Sequence, residues 1–237
     1  MLALEGIKIL DLTRNLSPGA FTTMILGDLG CEVIKVEPTL EARARQDGMG
    51  EALSSGETKT EALFKAFGRN KKSIELNLKA EKGCHIFYQL SQKADVIVEG
   101  FRPGVVKRLG IDYETINKIN PRIIYCSITG YGQDGPYRGL PGHDINYISL
   151  SGALDLIGER NGRPVIPLNS LADGGGGLVA ALGILAALIV KLSETPGKIR
   201  TLAPVQGENT KEILRDLGYR EEDINNLHEE GVIFLGR

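Results

Sequence analysis

The sequence predicts an α/β domain, doubly wound around a mostly parallel sheet, from three observations. Short β-branched runs alternate with helical stretches along the first half of the chain, and their spacing suits right-handed crossovers. A Gly/Pro-rich segment at 130–142 then follows the last strand, where an open parallel sheet presents its ligand edge. Residues 7–12 (IKILDL) read as the first strand, and 19–29 as a helix stopped by Gly30. Residues 32–37 (EVIKVE) form the second strand, closed by Pro38, and the polar stretch 39–70 reads as a long surface excursion with some helix. A strand at 72–78, a helix at 80–93, a strand at 95–98, helical turns through Ile119 and a strand at 122–127 continue the alternation. Helices at 144–157 and 174–191 follow the glycine-rich loop. A polar connector at 193–202 leads to two short amphipathic helices, 209–217 and 221–227. The expected domains are a large α/β unit, 1–198, and a C-terminal helical segment, 199–237, that packs back on it.

Composition narrows the function classes. At 237 residues, 42% hydrophobic and 24% charged, the chain has the make-up of a globular domain, which argues against disorder. A formal charge of −2 supplies no field for nucleic acid or an anionic membrane, so an anionic ligand must be met by local positive groups. Cys31, Cys84 and Cys126 show no C-x-x-C spacing, which argues for reduced thiols, a cytoplasmic location and no structural zinc. The N-terminus MLALEGIKIL lacks the features of a secretory leader. The apolar run 178–190 falls short of the roughly 20 residues that cross a bilayer and reads as a helix buried on every side.

Several motifs carry possible chemistry. Gly130, Gly132 and Gly135 match G-x-G-x-x-G after a strand, but Pro136 and Pro141 prolong a loop where a dinucleotide site needs a helix. No histidines stand at metal-ligand spacing, and no metal is expected. His143 lies where this loop turns into a helix, and by itself reads as a solvated loop histidine with Asp144 as the N-cap. Asp173 likewise reads as an N-cap carboxylate ahead of Gly174 to Gly177. Four consecutive glycines cost helix stability and suit a place where a ligand or another backbone comes close. His85 reads as a packed or rim histidine and His228 as a solvated helix-end residue. The basic run Arg69, Lys71 and Lys72 reads as solvated surface or as a phosphate grip at the sheet edge.

Taken together, LEGIKILDLTRNLSPG, GDLGCEVIKVE, GRNKKSIELNLK, ADVIVEGFRPGV, INPRIIYCSITGYGQDGPY, GHDINY, PLNSLADGGGG and GILAAL resemble the class III CoA-transferase (CaiB/BaiF) family, and within it the α-methylacyl-CoA racemases. The resemblance runs from residue 1 to about 198. It implies a Rossmann-like large domain, a homodimer, and acyl-CoA or CoA as substrate with no further cofactor. By the same resemblance His143 and Asp173 are the pair that exchanges the proton beside the thioester carbonyl. It places CoA along Leu76, Asn77, Leu78 and Lys79, with Gly142, Asp144, Asn146 and Tyr147 at the substrate. Asn169 would lie near the reacting end and Arg102 at a phosphate, while Pro38 replaces a family arginine whose contact would fall to Arg43 or Arg45. VQGENTKEILRDLGYREEDINNLHEEGVI resembles the family's extreme C-terminus, so the chain resembles a member without the middle, small-domain segment. A glutamate that supports the histidine in racemases would belong to that segment.

The chemistry suits these residue types. A thioester α-proton is weakly acidic, so its exchange needs a positioned base, stabilisation of the enolate oxygen and an acid on the opposite face. A glycine-rich helix start beside Asp173 would offer amide donors and a positive dipole end. CoA transfer would instead use Asp173 as a carboxylate nucleophile, and a silent form would bind CoA alone.

Overall fold

In the computed structural model of the chain, the described residues are 2–13, 18–38, 67–190, 211, 215 and 219–229. The chain divides into two compact units, Met1–Glu194 and Thr195–Arg237. The first contains β1 (Lys8–Leu12), α1 (Pro18–Asp28), β2 (Glu32–Glu37), β3 (Lys71–Glu75), α2 (Glu81–Gln92), β4 (Val96–Glu99), α3 (Val105–Arg108) and α4 (Tyr113–Ile119). It continues through β5 (Ile124–Ser127), α5 (Asp144–Leu150), a 3-10 turn (Ala153–Leu156) and α6 (Leu171–Val190). The second unit contains α7 (Glu221–Glu229), whose first-turn Glu221 pairs with Lys211 and Arg215.

The five strands lie in the order β3-β2-β1-β4-β5 and all pair in parallel. Chain order reverses between β1 and β4, so the doubly wound expectation holds and a crevice is defined beyond their carboxyl ends. Side-chain alternation splits the core into two layers. Leu10, Leu12, Val36 and Ile97 pack with Phe87 of α2 and Ile116 of α4, whereas Ile9, Val33, Val96 and Val98 pack with Leu26 of α1 and Ala181 and Ile184 of α6.

The α1 side of the sheet also buries charge. The Asp11 carboxylate, with no solvent exposure, accepts from the Thr13 amide (2.9 Å), Thr13 Oγ1 (2.6 Å), Thr23 Oγ1 (2.7 Å) and Lys71 Nζ (3.0 Å). Lys35 Nζ stands 3.6 Å from it and donates to the Thr13 carbonyl at 2.7 Å. Burial pushes the Asp11 pKa up, but the two ammonium groups and two hydroxyls together hold it below the ordinary carboxylate range. The cluster thereby ties β1, β2, β3 and α1 to the start of the β1–α1 loop.

Several expectations change. The third strand ends at Glu75, so Leu76 to Lys79 turn out of the sheet. The helix expected over 144–157 stops at Leu150, because Gly152 at φ 79° breaks it before the 3-10 turn. α6 begins at Leu171, three residues early, and is not buried on every side. Gly177, Ala181 and Ile184 form its buried stripe, while Leu178, Val179 and Leu182 are 51, 68 and 64% exposed. With 20 residues it also has the length and composition of a bilayer-crossing helix, contrary to the shorter run expected, although one stripe is committed to the α/β core.

The basic run does not grip a ligand edge. It sits at the amino end of β3, where Arg69 pairs with Asp28, Lys72 with Glu32 and Lys71 with Asp11. His85 is exposed on α2 near Glu81, and His228 is exposed on α7. Most of the 39–70 excursion, with Arg43 and Arg45, and most of the expected 209–217 helix lie outside the described residues.

Candidate functional site

The site is built where two helices begin. His143, in extended backbone (φ −126°, ψ 173°), is the N-cap of α5 and Asp144 its first residue, so the expected N-cap assignment shifts by one position. The His143 amide donates to Asn146 Oδ1 at 2.9 Å, and the Asn146 amide donates back to the His143 carbonyl at 2.9 Å. This reciprocal pair fixes the backbone that carries the imidazole. The imidazole-bearing residue is exposed, as a group that meets a ligand must be.

Asp173 does not precede its helix as expected; it lies inside the first turn of α6. The Gly174 amide is already bonded to the Ser170 carbonyl at 2.9 Å, and the Asp173 amide is taken by Asp144 Oδ1 at 2.9 Å. The glycine run is therefore helix interior, and the amides at 173 and 174 are not free donors. Desolvation raises the Asp173 pKa, the neighbouring Asp144 charge raises it further, and His143 opposes both. A carboxyl so placed keeps its proton to higher pH than an ordinary aspartate.

The preceding loop closes against α5 through an aromatic contact. The Tyr131 and Tyr147 rings meet edge to face with centroids 5.1 Å apart. A Cβ at Gly130 would stand 2.2 Å from Tyr147 Oη, and one at Gly142 2.6 Å from Tyr147 Cε1. Gly132 and Gly135 adopt φ 84° and 83°. The G-x-G-x-x-G spacing is thus explained by one close ring contact and two left-handed turns, without a phosphate loop.

Of the other candidate residues, Leu76 to Lys79 and Arg102 follow strand ends on the same carboxyl edge. Leu76 is buried beneath the sheet and Leu78 half-buried, Asn77 Oδ1 accepts from the Lys79 amide at 3.1 Å, and the Lys79 side chain is exposed. Arg102, beyond β4, is exposed, as is Asn169 just ahead of α6. β3 and β5 are the two margins of the sheet. The segment after β3 and the loop after β5 are therefore separated by four strand spacings, roughly 19 Å at about 4.8 Å each. The edge brings Gly142, His143, Asp144, Asn146, Tyr147 and Asp173 into one neighbourhood and keeps Leu76 to Lys79 across the sheet from it.

Glu99 escaped the sequence reading. It ends β4 at the reversal point, is 1% exposed, and accepts the Phe101 amide at 2.7 Å, which holds the turn before Arg102. Burial raises its pKa, partly offset by its bonds to Ser127 and Phe101. The available signal was a charged side chain at an inward position of VIVE, as for Asp11 in KILDL and Lys35 in EVIKVE.

This edge sets a histidine and an aspartate at adjoining helix starts of a doubly wound α/β domain. Residues 4–207 match CoA-transferase family III, and the chain belongs to that family. It is 37% identical to the human α-methylacyl-CoA racemase over 207 residues, covering 87% of this chain and 49% of the relative. It is 44% identical to the human succinyl-CoA:glutarate CoA-transferase over 200 residues, covering 82% and 43%. A solved CAIB/BAIF family protein from Brucella suis superposes with a TM-score of 0.71 at 34% identity, covering 83% of this chain and 52% of that one. The chain spans about half the length of the curated relatives it matches.

Proposed function

We propose that the chain provides the CoA-binding large domain of an acyl-CoA racemase or epimerase that exchanges the α-proton of 2-methyl-branched acyl-CoA thioesters. The observation that carries the reading is the placement of His143 and Asp173 at adjoining helix starts, joined by the bond from the Asp173 amide to Asp144, with burial and the Asp144 charge raising the Asp173 pKa. In one direction the neutral imidazole takes the α-proton. The C–H bond breaks, an N–H bond forms, and the electron pair moves onto the thioester oxygen as an enolate. The Asp173 carboxyl then delivers its proton to the opposite face of that carbon, leaving imidazolium and carboxylate. The reverse direction uses those two states and restores the first. CoA would lie along the carboxyl edge, its nucleotide toward Leu76 to Lys79 and Arg102 and its thioester toward Gly142 to Tyr147 and Asn169. No cofactor beyond the thioester is required.

The test is deuterium incorporation at the α-carbon of a 2-methylacyl-CoA in heavy water, read by mass spectrometry. Incorporation that needs both His143 and Asp173 supports the proposal; protium retained under saturating protein opposes it.

A CoA-transferase is the second reading, favoured by the identity to the succinyl-CoA:glutarate CoA-transferase. Asp173 would then attack the acyl-CoA carbonyl, expel CoA thiolate and form a mixed anhydride. Passage of label between two carboxylic acids, with an adduct cleaved by hydroxylamine, would select it. CoA binding without either turnover would mark a silent form. We propose a cytoplasmic homodimer, supported by the apolar side of α6 that carries Leu178, Val179 and Leu182. Monomeric sedimentation at micromolar concentration would oppose it.

A further inference from the structure

Asp144 stands between the two candidate proton-transfer groups. It follows His143 directly in the chain, and its carboxylate crosses to the first turn of α6 to accept the amide of Asp173 at 2.9 Å. The first four amides of a helix lack partners within it, so this bond caps α6 with a side chain supplied by α5. Asp144 is half-buried, which gives that bond more weight than an exposed one. Among the described residues no other α5 side chain bonds the backbone of α6, and the Asn146 bond stays within the cap of α5.

We propose that Asp144 is a positioning residue: by capping the Asp173 amide it fixes the spacing between the imidazole at 143 and the carboxyl at 173. The inference rests on the proton-exchange reading for its meaning, but not for its test. The same carboxylate places a negative charge beside Asp173, which adds to the larger effect of burial in raising the pKa of Asp173. The titratable groups that face Asp173 among the described residues are Asp144, His143 and Tyr147, all from α5 and its N-cap. Of these, Asp144 opposes ionisation of Asp173, His143 favours it, and Tyr147 is neutral at physiological pH.

Two substitutions separate geometry from charge. Asp144→Asn keeps a carbonyl acceptor for the Asp173 amide and removes the charge, whereas Asp144→Ala removes both. The readouts are the 13C titration of the Asp173 carboxyl, assigned by its loss in Asp173→Asn, and hydrogen exchange of the Asp173 amide. In Asp144→Asn the titration midpoint falls while the amide stays protected. In Asp144→Ala amide protection drops about tenfold or more. A midpoint that stays or rises in Asp144→Asn, or unchanged protection in Asp144→Ala, overturns the proposal. Should the alanine variant fail to fold, the asparagine titration decides. A purely structural role would leave that midpoint in place. Both readouts are independent of turnover, so a chain that exchanges no α-protons would refute the racemase reading and leave this one decided on its own data. In material that turns over, Asp144→Ala lowers kcat by about 100-fold with KM nearly unchanged, the cost of misplacing a reacting group.

Discussion

Thr22 and Gly177 join the two helices that cover one face of the sheet: Thr22 Oγ1 donates to the Gly177 carbonyl at 2.9 Å, across 155 residues of sequence. The approach is close because position 177 has no side chain. A Cβ there would stand 2.7 Å from the Pro18 carbonyl oxygen and 2.9 Å from Phe21 Cδ1. Gly177→Ala should therefore destabilise the domain by about 1–3 kcal/mol through overpacking. Gly175→Ala meets no described atom within 4 Å and should stabilise the free protein by about 0.5–1 kcal/mol, as glycine-to-alanine changes do inside helices. Urea titration of both variants checks the pair. Weakened CoA binding or association in Gly175→Ala alone would show that its open space is used.

The Asp11 cluster makes a second case. Removing a carboxylate that faces two buried ammonium groups leaves them uncompensated, so Asp11→Ala should cost about 3–5 kcal/mol. The folded-state pKa lies below the unfolded one. The stability it contributes is thus fully present above the ordinary aspartate range and is lost as pH falls through the depressed value. Urea unfolding at a series of acid pH values should show this loss in the parent and not in Asp11→Asn.

Glu99 should behave in the opposite sense. Its pKa is raised by burial, so between the ordinary glutamate range and the raised value the native state binds more protons than the unfolded chain. Stability should fall as pH rises from the ordinary glutamate range through the raised value. Glu99→Gln preserves an acceptor for the Phe101 amide and should abolish that slope, which unfolding midpoints between mildly acid and neutral pH would reveal.

At the candidate site, His143→Ala and Asp173→Asn should each lower α-proton exchange by about 10²–10⁴-fold while leaving far-UV circular dichroism unchanged, because neither side chain is part of the core. Passage of CoA between two carboxylic acids that is lost in Asp173→Asn and retained in His143→Ala would move the assignment to the transferase reading.

Adjacent to the site, Gly142→Ala would press a methyl group against Tyr147 Cε1 and Tyr131 Oη, at 2.6 and 3.0 Å. It should displace the Tyr147 ring and weaken CoA-thioester binding more than global stability, a difference that calorimetric titration beside thermal unfolding would expose.

Much of this architecture was legible in advance. IKILDL, EVIKVE and the short VIVE run announce strands because β-branched residues are concentrated in short runs bounded by turn residues, a property of each segment alone. His143 and Asp173 were nominated as candidates by the company they keep in GHDINY and LADGGGG, and the fold sets them at adjoining helix starts. The start of α6 was not, because its first turn is capped by Asp144, which lies 29 residues earlier, and no local rule reveals a cap donated by another helix.

The chain's own order of residues settled the alternation of strands and helices and the family, and nominated two side chains for chemistry, since period and motif are local and survive without a fold. Folding alone settled which charges become partners: Asp11 meets Lys71 across 60 residues, the basic run is consumed at the amino edge, and one side of α6 stays open. Those outcomes depend on distance and dielectric between segments remote in sequence, and both come into being only when the sheet has closed against its helices.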